Sequence, residues 1–255
     1  MAPVFGEPPA YVRVADDLRR RILGGELPPG SKVPSRAQLA DEYGVSTNIS
    51  LQAMRVLTAE GLIEGRPGSG TYVRDTAVMQ RLVRAWYRDA RGGSPFAAET
   101  RAQGKEPGWQ SASEFRVPAP ESVALRLEIV AGEPCVRTDY TFTADGKPVM
   151  LSASWEPMAV TGGTPVLAPE DGPLAGNGVV DRMRSIGHEI VRVVEAVGSR
   201  PALTAEATRL GIAVGLPVIT IERTYWTAER PVETADIVIP AERYQVVYEF
   251  PVGSR

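Results

Sequence analysis

Five side chains within one short stretch have the types and spacing to read base pairs. After Ser46, Thr47, Leu51 and Arg55 recur every four residues, and Asn48 and Gln52 fall on the neighbouring row. The amides of Asn48 and Gln52 suit the donor and acceptor that adenine presents in the major groove, and Leu51 suits a thymine methyl. Ser50 and Arg55 are placed to touch phosphates. A second cluster, Arg66, Gly68, Ser69, Gly70 and Thr71, supplies a cation and glycines that let backbone approach a sugar-phosphate surface. Those glycines are not a nucleotide phosphate loop, because no strand-turn-helix surrounds them and the lysine of such a loop is absent. The chemistry suggested is recognition of DNA.

These residues need a scaffold, and the local signals supply one. Ser35 followed by Gln38 forms a capping box, so a helix starts there and carries Arg36 in its first turn. Leu39, Ala40 and Tyr43 are its apolar stripe, and Gly44 permits the left-handed backbone that closes it. Ser46 caps a second helix whose buried side is expected to be Ile49, Ala53, Val56 and Leu57. Leu62 to Glu64 and Thr71 to Arg74 read as two short strands of a hairpin. Upstream, Tyr11, Val14, Ala15, Leu18 and Ile22 recur at helical spacing until Gly24. This order is that of a winged helix-turn-helix over residues 8–75.

Composition alone conceals this reading. The chain of 255 residues has a net charge of −3, and residues 1–74 hold nine Lys or Arg against eight Asp or Glu. Any basic face must therefore come from sorting charges within the module, and affinity for DNA should be modest and salt-dependent. One cysteine, Cys135, excludes an internal disulfide and a cysteine zinc cluster, and its expected place is a buried strand position. No apolar run approaches the ~20 residues of a membrane span, and no signal-peptide core is seen, which points to a cytoplasmic protein. The single histidine, His188, is expected at the surface. No metal site and no cofactor are expected.

Residues 76–112 read as a linker. A short helix through Met79, Leu82, Val83 and Trp86 is expected there, with GGSP and QGKEPG as breakers. Residues 113–252 read as mixed α and β, with helices near 120–127, 175–186 and 203–210, the last capped by Thr204. Strands are expected from 135, 148, 189, 217, 232 and 244. Asp145 and Gly146 provide a hairpin turn, and sequential hairpins imply a largely antiparallel sheet with helices on one side. Polar residues sharing a strand face with aromatics are pocket candidates. Tyr140 and Phe142 share one face, as do Ser152, Ser154 and Glu156, while Arg137, Glu195, Arg200, Arg223, Tyr225, Glu233 and Asp236 supply charge and a further ring.

The order YVRVADDLRRRILGGELPPGSKVPS, then LADEYGVS, then LTAEGLIEGRPGSGTYV, resembles the DNA-binding domain of the GntR family of bacterial transcription regulators. The remainder resembles the UTRA effector-binding domain of the HutC subfamily. The resemblance implies an α+β chain, with an N-terminal winged helix-turn-helix and a C-terminal chorismate-lyase-like mixed antiparallel sheet with helices. It implies a ligand-responsive repressor that binds an inverted-repeat operator in double-stranded DNA as a homodimer. By the same resemblance, Tyr140, Phe142, Ser152, Ser154, Trp155 and Glu233 hold the effector. Family members that recognise phosphosugars often show two arginines where this chain has Tyr140 and Phe142, which disfavours a phosphorylated sugar. Arginines common in the family's reading helix are replaced by Thr47 and Leu51, and the one in the preceding helix by Ala37, with Arg36 one place earlier. An operator richer in A·T is the consequence expected. Two rivals are a DNA-binding repressor without an effector, such as one controlling plasmid transfer functions, and a lyase-type enzyme. The second lacks any visible set of nucleophile, base and orienter.

Overall fold

A computed structural model describes residues 7–74, 80–84 and 93–249, and its contacts divide the chain into two units, Met1–Met79 and Gln80–Arg255. The first unit contains helices α1 (Ala10–Leu23), α2 (Arg36–Tyr43) and α3 (Thr47–Ala59), followed by strands β1 (Ile63–Arg66) and β2 (Gly70–Val73). The expected caps are present. Ser35 Oγ accepts from Gln38 N at 3.3 Å while Gln38 Oε1 accepts from Ser35 N at 2.8 Å, and Ser46 Oγ accepts from Ile49 N at 3.3 Å. Between α2 and α3 the chain reverses at Gly44, whose φ of 60° is left-handed. Val14, Leu18, Leu39, Ala53, Leu57 and Ile63 form the buried centre on which the three helices and the hairpin close. Burial along α3 runs through Ser50, Ala53 and Leu57, a helical face rotated slightly from the expected one, so Ile49 and Val56 are only partly covered.

The second unit is built on a six-stranded antiparallel sheet with strand order β4-β5-β6-β9-β8-β7. These strands are β4 (Pro107–Pro118), β5 (Pro134–Ala144), β6 (Lys147–Pro157), β7 (Arg192–Pro201), β8 (Pro217–Trp226) and β9 (Pro231–Pro240). Asp145 and Gly146, at φ 51° and 73°, make the two-residue turn between β5 and β6. Cys135 is fully buried on β5, and burial pushes its thiol up to about 11. Helices α5 (Glu121–Leu127) and α8 (Thr204–Leu210) cover one face through Leu127 against Trp155 and Leu210 against Leu151. On the other face lie α4 (Pro95–Ala102), α7 (Val179–Ser185) and a two-stranded parallel pair of β3 (Gln80–Arg84) with β10 (Tyr244–Tyr248). A four-residue helix, α6 (Met158–Thr161), follows β6.

Several sequence expectations are corrected by this architecture. Helices flank both faces, not one. The stretch read as a linker contains β3, α4 and the first half of β4. Its described portion near Leu82 and Val83 is a strand, because pairing with β10 satisfies its backbone; Met79 and Trp86 lie outside the described residues. Helix α7 starts only at Val179, after Gly176 has taken a φ of 77°. At α8, the N-cap is Leu203 rather than Thr204, and Glu206 accepts the Leu203 N–H at 2.9 Å.

Candidate functional site

In the first unit the exposed face of α3 presents Thr47, Asn48, Gln52 and Arg55, with Leu51 half-buried among them and Ser46 at the helix start. Ser35 and Arg36 are exposed at the start of α2. Ser50 does not join them. It is fully buried, and its hydroxyl donates to the Ser46 carbonyl at 3.5 Å, so its expected phosphate contact is withdrawn. The wing tip exposes Arg66, Gly68, Ser69 and Gly70, with Thr71 half-buried. Arg66 folds back, donating to Glu64 at 3.1 Å and lying 4.4 Å from the centre of the Tyr72 ring.

Ion pairing sorts the cations of this nearly neutral module. Arg19 is held by Asp16 and Glu60, Arg20 by Asp17, and Arg21 by Glu26 and Glu42. Lys32, Arg36 and Arg55 form no ion pair among the described residues. Lys32 was not a sequence candidate. Its bridge to Tyr72 of the wing joins residues 40 positions apart, a pairing with no local signal. Gly70 is needed beside it, because its φ is 119° and an added Cβ would lie 2.9 Å from Lys32 Cε.

In the second unit, β5, β6, β9 and β8 form the floor of a 310 Å³ cavity roofed by β3, α4 and α7. Tyr140, Phe142, Ser152 and Ser154, chosen because they share strand faces, line it, and so do Arg223 and Tyr225. The register explains why. Tyr140 stands opposite Ser152, Ser152 opposite Ile237, and Ile237 opposite Ile221, so the same face is continued across four strands. Arg137 and Trp155 are paired with each other on the opposite face, where Trp155 packs under α5; neither reaches the cavity. Glu195 and Glu233 share the floor's sheet face, opposite Arg223 and Tyr225 respectively, but do not line the cavity. Glu233 accepts from Arg223 at 2.9 Å and from Ser154 at 2.8 Å, while Glu195 holds Arg84 and accepts from the Tyr248 hydroxyl at 2.7 Å.

The wall also includes residues that the sequence reading did not select. Phe96 of α4 meets Phe142 with ring centres 4.8 Å apart, and Phe142 stacks on Tyr140 at 5.3 Å. Glu170, on the loop after α6, accepts from Trp109 Nε1 at 3.1 Å, Gly176 N at 3.1 Å and the Tyr140 hydroxyl at 3.2 Å. Burial and the Glu170 charge push the Tyr140 phenol upward, which keeps it protonated as the donor. Arg182 of α7 is ion-paired with Glu156 of β6, and both are buried. Burial raises the Glu156 carboxyl, and the Arg182 guanidinium pulls against that rise. Phe96 and Trp109 were hidden in the supposed linker, and Glu170 lies in a loop without periodicity. Among the described residues, no group of three or more His, Cys, Asp or Glu could hold a metal ion, and His188 is partly exposed.

Comparison with known proteins places both units. Residues 10–73 match the family of bacterial regulatory proteins called gntR, and residues 102–245, more than half of the chain, match the UTRA domain. The chain belongs to the GntR family. This GntR regulator is 49% identical to a crystallographically solved chain described as a GntR-family transcriptional regulator, with a TM-score of 0.81 over 97% of this chain and 99% of that one. It is 27% identical to the histidine utilization repressor of Pseudomonas putida over 96% of this chain and 93% of that protein. It is likewise 27% identical to the HTH-type transcriptional repressor NagR of Bacillus subtilis over 94% of each. PhnF from Mycobacterium smegmatis, at 21% identity and a TM-score of 0.56 over 94% of this chain and all of that one, shares the fold. The GntR regulator is thus a transcriptional repressor of the GntR/HutC type, with a DNA-binding winged domain and a UTRA effector-binding domain. No helix among its described residues is long and apolar enough to cross a membrane.

Proposed function

We propose that this repressor is a cytoplasmic homodimer that binds an inverted-repeat operator and is released from it by a small molecule held in the UTRA cavity. One observation carries the effector: an aromatic-walled cavity of 310 Å³ in a unit separate from the one that presents α3. On the two-fold axis of a homodimer, two copies of α3 would enter successive major grooves about 34 Å apart. The effector acts by binding more tightly to the arrangement whose α3 spacing does not fit the operator, since a ligand shifts only an equilibrium whose two states it distinguishes. Thr47, Asn48, Leu51 and Gln52 read base edges, with A·T favoured opposite the two amides. Arg36, Arg55, Arg66 and the backbone of the wing from Gly68 to Thr71 contact phosphates or the minor groove, with Ser35 and Ser46 beside them at the helix starts. Tyr140, Phe142, Ser152, Ser154, Arg223 and Tyr225 contact the effector, and a phosphorylated sugar is disfavoured. The rings support binding rather than turnover, so no enzymatic activity is proposed.

Footprinting on the intergenic DNA beside the protein's own gene, with and without fractionated metabolites, tests this reading. A protected inverted repeat that one fraction abolishes supports it. Protection that no metabolite alters, together with an unshifted melting temperature across the same fractions, would mean a repressor without an effector.

A further inference from the structure

The charges around the UTRA cavity balance unevenly. Four arginines adjoin it, and three of them already have a carboxylate: Arg84 meets Glu195, Arg182 meets Glu156 and Arg223 meets Glu233, while Arg81 is exposed at the rim. A guanidinium held by a buried carboxylate has spent its charge, and an anionic ligand would have to break that pair to use it. At the other end, near the start of β3 and the end of α4, Lys105 donates to Gln80, with Glu99 also on the wall there. Glu170 differs from the paired carboxylates in having no cation among the described residues, and from Glu99, which accepts from the Gln103 amide, in being held by aromatic donors. It lines the cavity, forms no ion pair among the described residues, and is held only by neutral donors from Trp109, Tyr140 and Gly176. Three hydrogen bonds occupy about three of the roughly four lone-pair directions of a carboxylate. The remaining one and the net negative charge are available to a ligand.

The surroundings of Glu170 suit one ligand class. Trp109 and Tyr140 touch the carboxylate itself, while Phe142 and Phe96 extend the aromatic wall from Tyr140. Ring faces attract cations, and a half-buried carboxylate among rings adds a direct counter-charge. We propose that the effector is an organic cation, a protonated amine on a small apolar body, with Glu170 as its counter-ion and the rings of Trp109, Tyr140 and Phe142 as its bed. This rests on the reading of the cavity as the effector site, and it names the charge that the site selects. Ser152 and Ser154 on the floor are placed for a polar group of the same ligand.

The test is calorimetry on the full-length chain with size-matched amines, alcohols and carboxylates carrying phenyl, cyclohexyl or indolyl bodies, and with glucose 6-phosphate. Amines should bind more tightly than the alcohol and carboxylate of the same body. Glu170→Gln, which keeps an acceptor oxygen but removes the charge, should weaken the amines about tenfold or more, the scale of a lost charge-assisted hydrogen bond, and leave the alcohols unchanged. Alcohols, carboxylates or glucose 6-phosphate binding as tightly as amines to the unmodified chain would overturn the proposal, even if Glu170→Gln fails to fold. Amine affinity unchanged in a folded Glu170→Gln chain would also overturn it. If no class binds at all, the cavity is not the effector site, and the broader reading falls with the narrower one.

Discussion

In the winged unit, Arg20 meets Asp17 with 77% of its side chain open to solvent, whereas in the UTRA unit Arg182 meets Glu156 with 3% and 1% exposed. The two pairs have the same chemistry and opposite consequences. A solvated pair contributes little and exchanges readily with salt, so the first unit can place cations in pairs without committing its stability to them. Lys32, Arg36 and Arg55 are left without an ion pair among the described residues, and the proposed DNA contact draws on such cations and on the uncharged amides of α3. A buried pair has given up hydration at both ends and cannot part cheaply. Three of the arginines lining the UTRA cavity thus have their charge already answered, and the selectivity proposed for it passes to aromatic rings and to Glu170.

The largest effect expected from this contrast is at Glu156. Glu156→Gln leaves the Arg182 charge buried without its counter-ion and should destabilise the UTRA unit by roughly 3–5 kcal/mol in urea melts, with Glu156→Gln/Arg182→Met recovering a large part. A loss no larger than that of a surface pair would erase the distinction between the units. Next come Asn48→Ala and Gln52→Ala, each expected to cost about 1–3 kcal/mol of discrimination at one base pair, read by competition between operator variants. Uniform weakening on every variant would mean that these amides do not read bases. Arg36→Ala and Arg55→Ala should instead weaken all sequences alike and lower the salt slope of binding by about one each, while Arg20→Ala leaves the slope unchanged. An equal change for Arg20→Ala would show that ion-paired cations also reach phosphate.

The smallest effect lies in an intermediate case. Arg200, by hydrogen bonding, and then the Leu203 N–H hold the Glu206 carboxyl below its usual range, although Arg200 is 38% exposed. A carboxyl lowered on folding contributes stability above its unfolded pKa and loses it as pH falls through the folded value. The stability advantage over Glu206→Gln should thus be complete at neutral pH, disappear on acidification below the ordinary carboxylate range, and stay under about 1 kcal/mol throughout. An advantage that grows on acidification would reverse the assignment.

How far the sequence foretold each unit follows the same division. Ser35 with Gln38, Ser46 with Ile49, and Gly44 act within a few residues of themselves, so α2, its turn and α3 were legible in order and extent. Ser50 was misplaced because the true buried face of α3 is set by its packing on α1, which shifts the phase by a residue or so. In the UTRA unit, alternation along β5 and β6 placed Tyr140, Phe142, Ser152 and Ser154 on one face. Strand β3 was not legible, since its partner β10 is more than 150 residues away, and β4 begins at Pro107, inside the QGKEPG run of breakers. Glu170 gave no local signal. It becomes functional only where a loop brings it to Trp109 and Tyr140, two residues on adjacent strands.

Selection of bound duplexes from a random DNA pool by the full-length chain tests the central claim most directly. The account predicts an enriched inverted repeat with half-sites about one helical turn apart and A·T pairs opposite Asn48 and Gln52. A pool that enriches no common sequence, or half-sites rich in G·C at those positions, would contradict it.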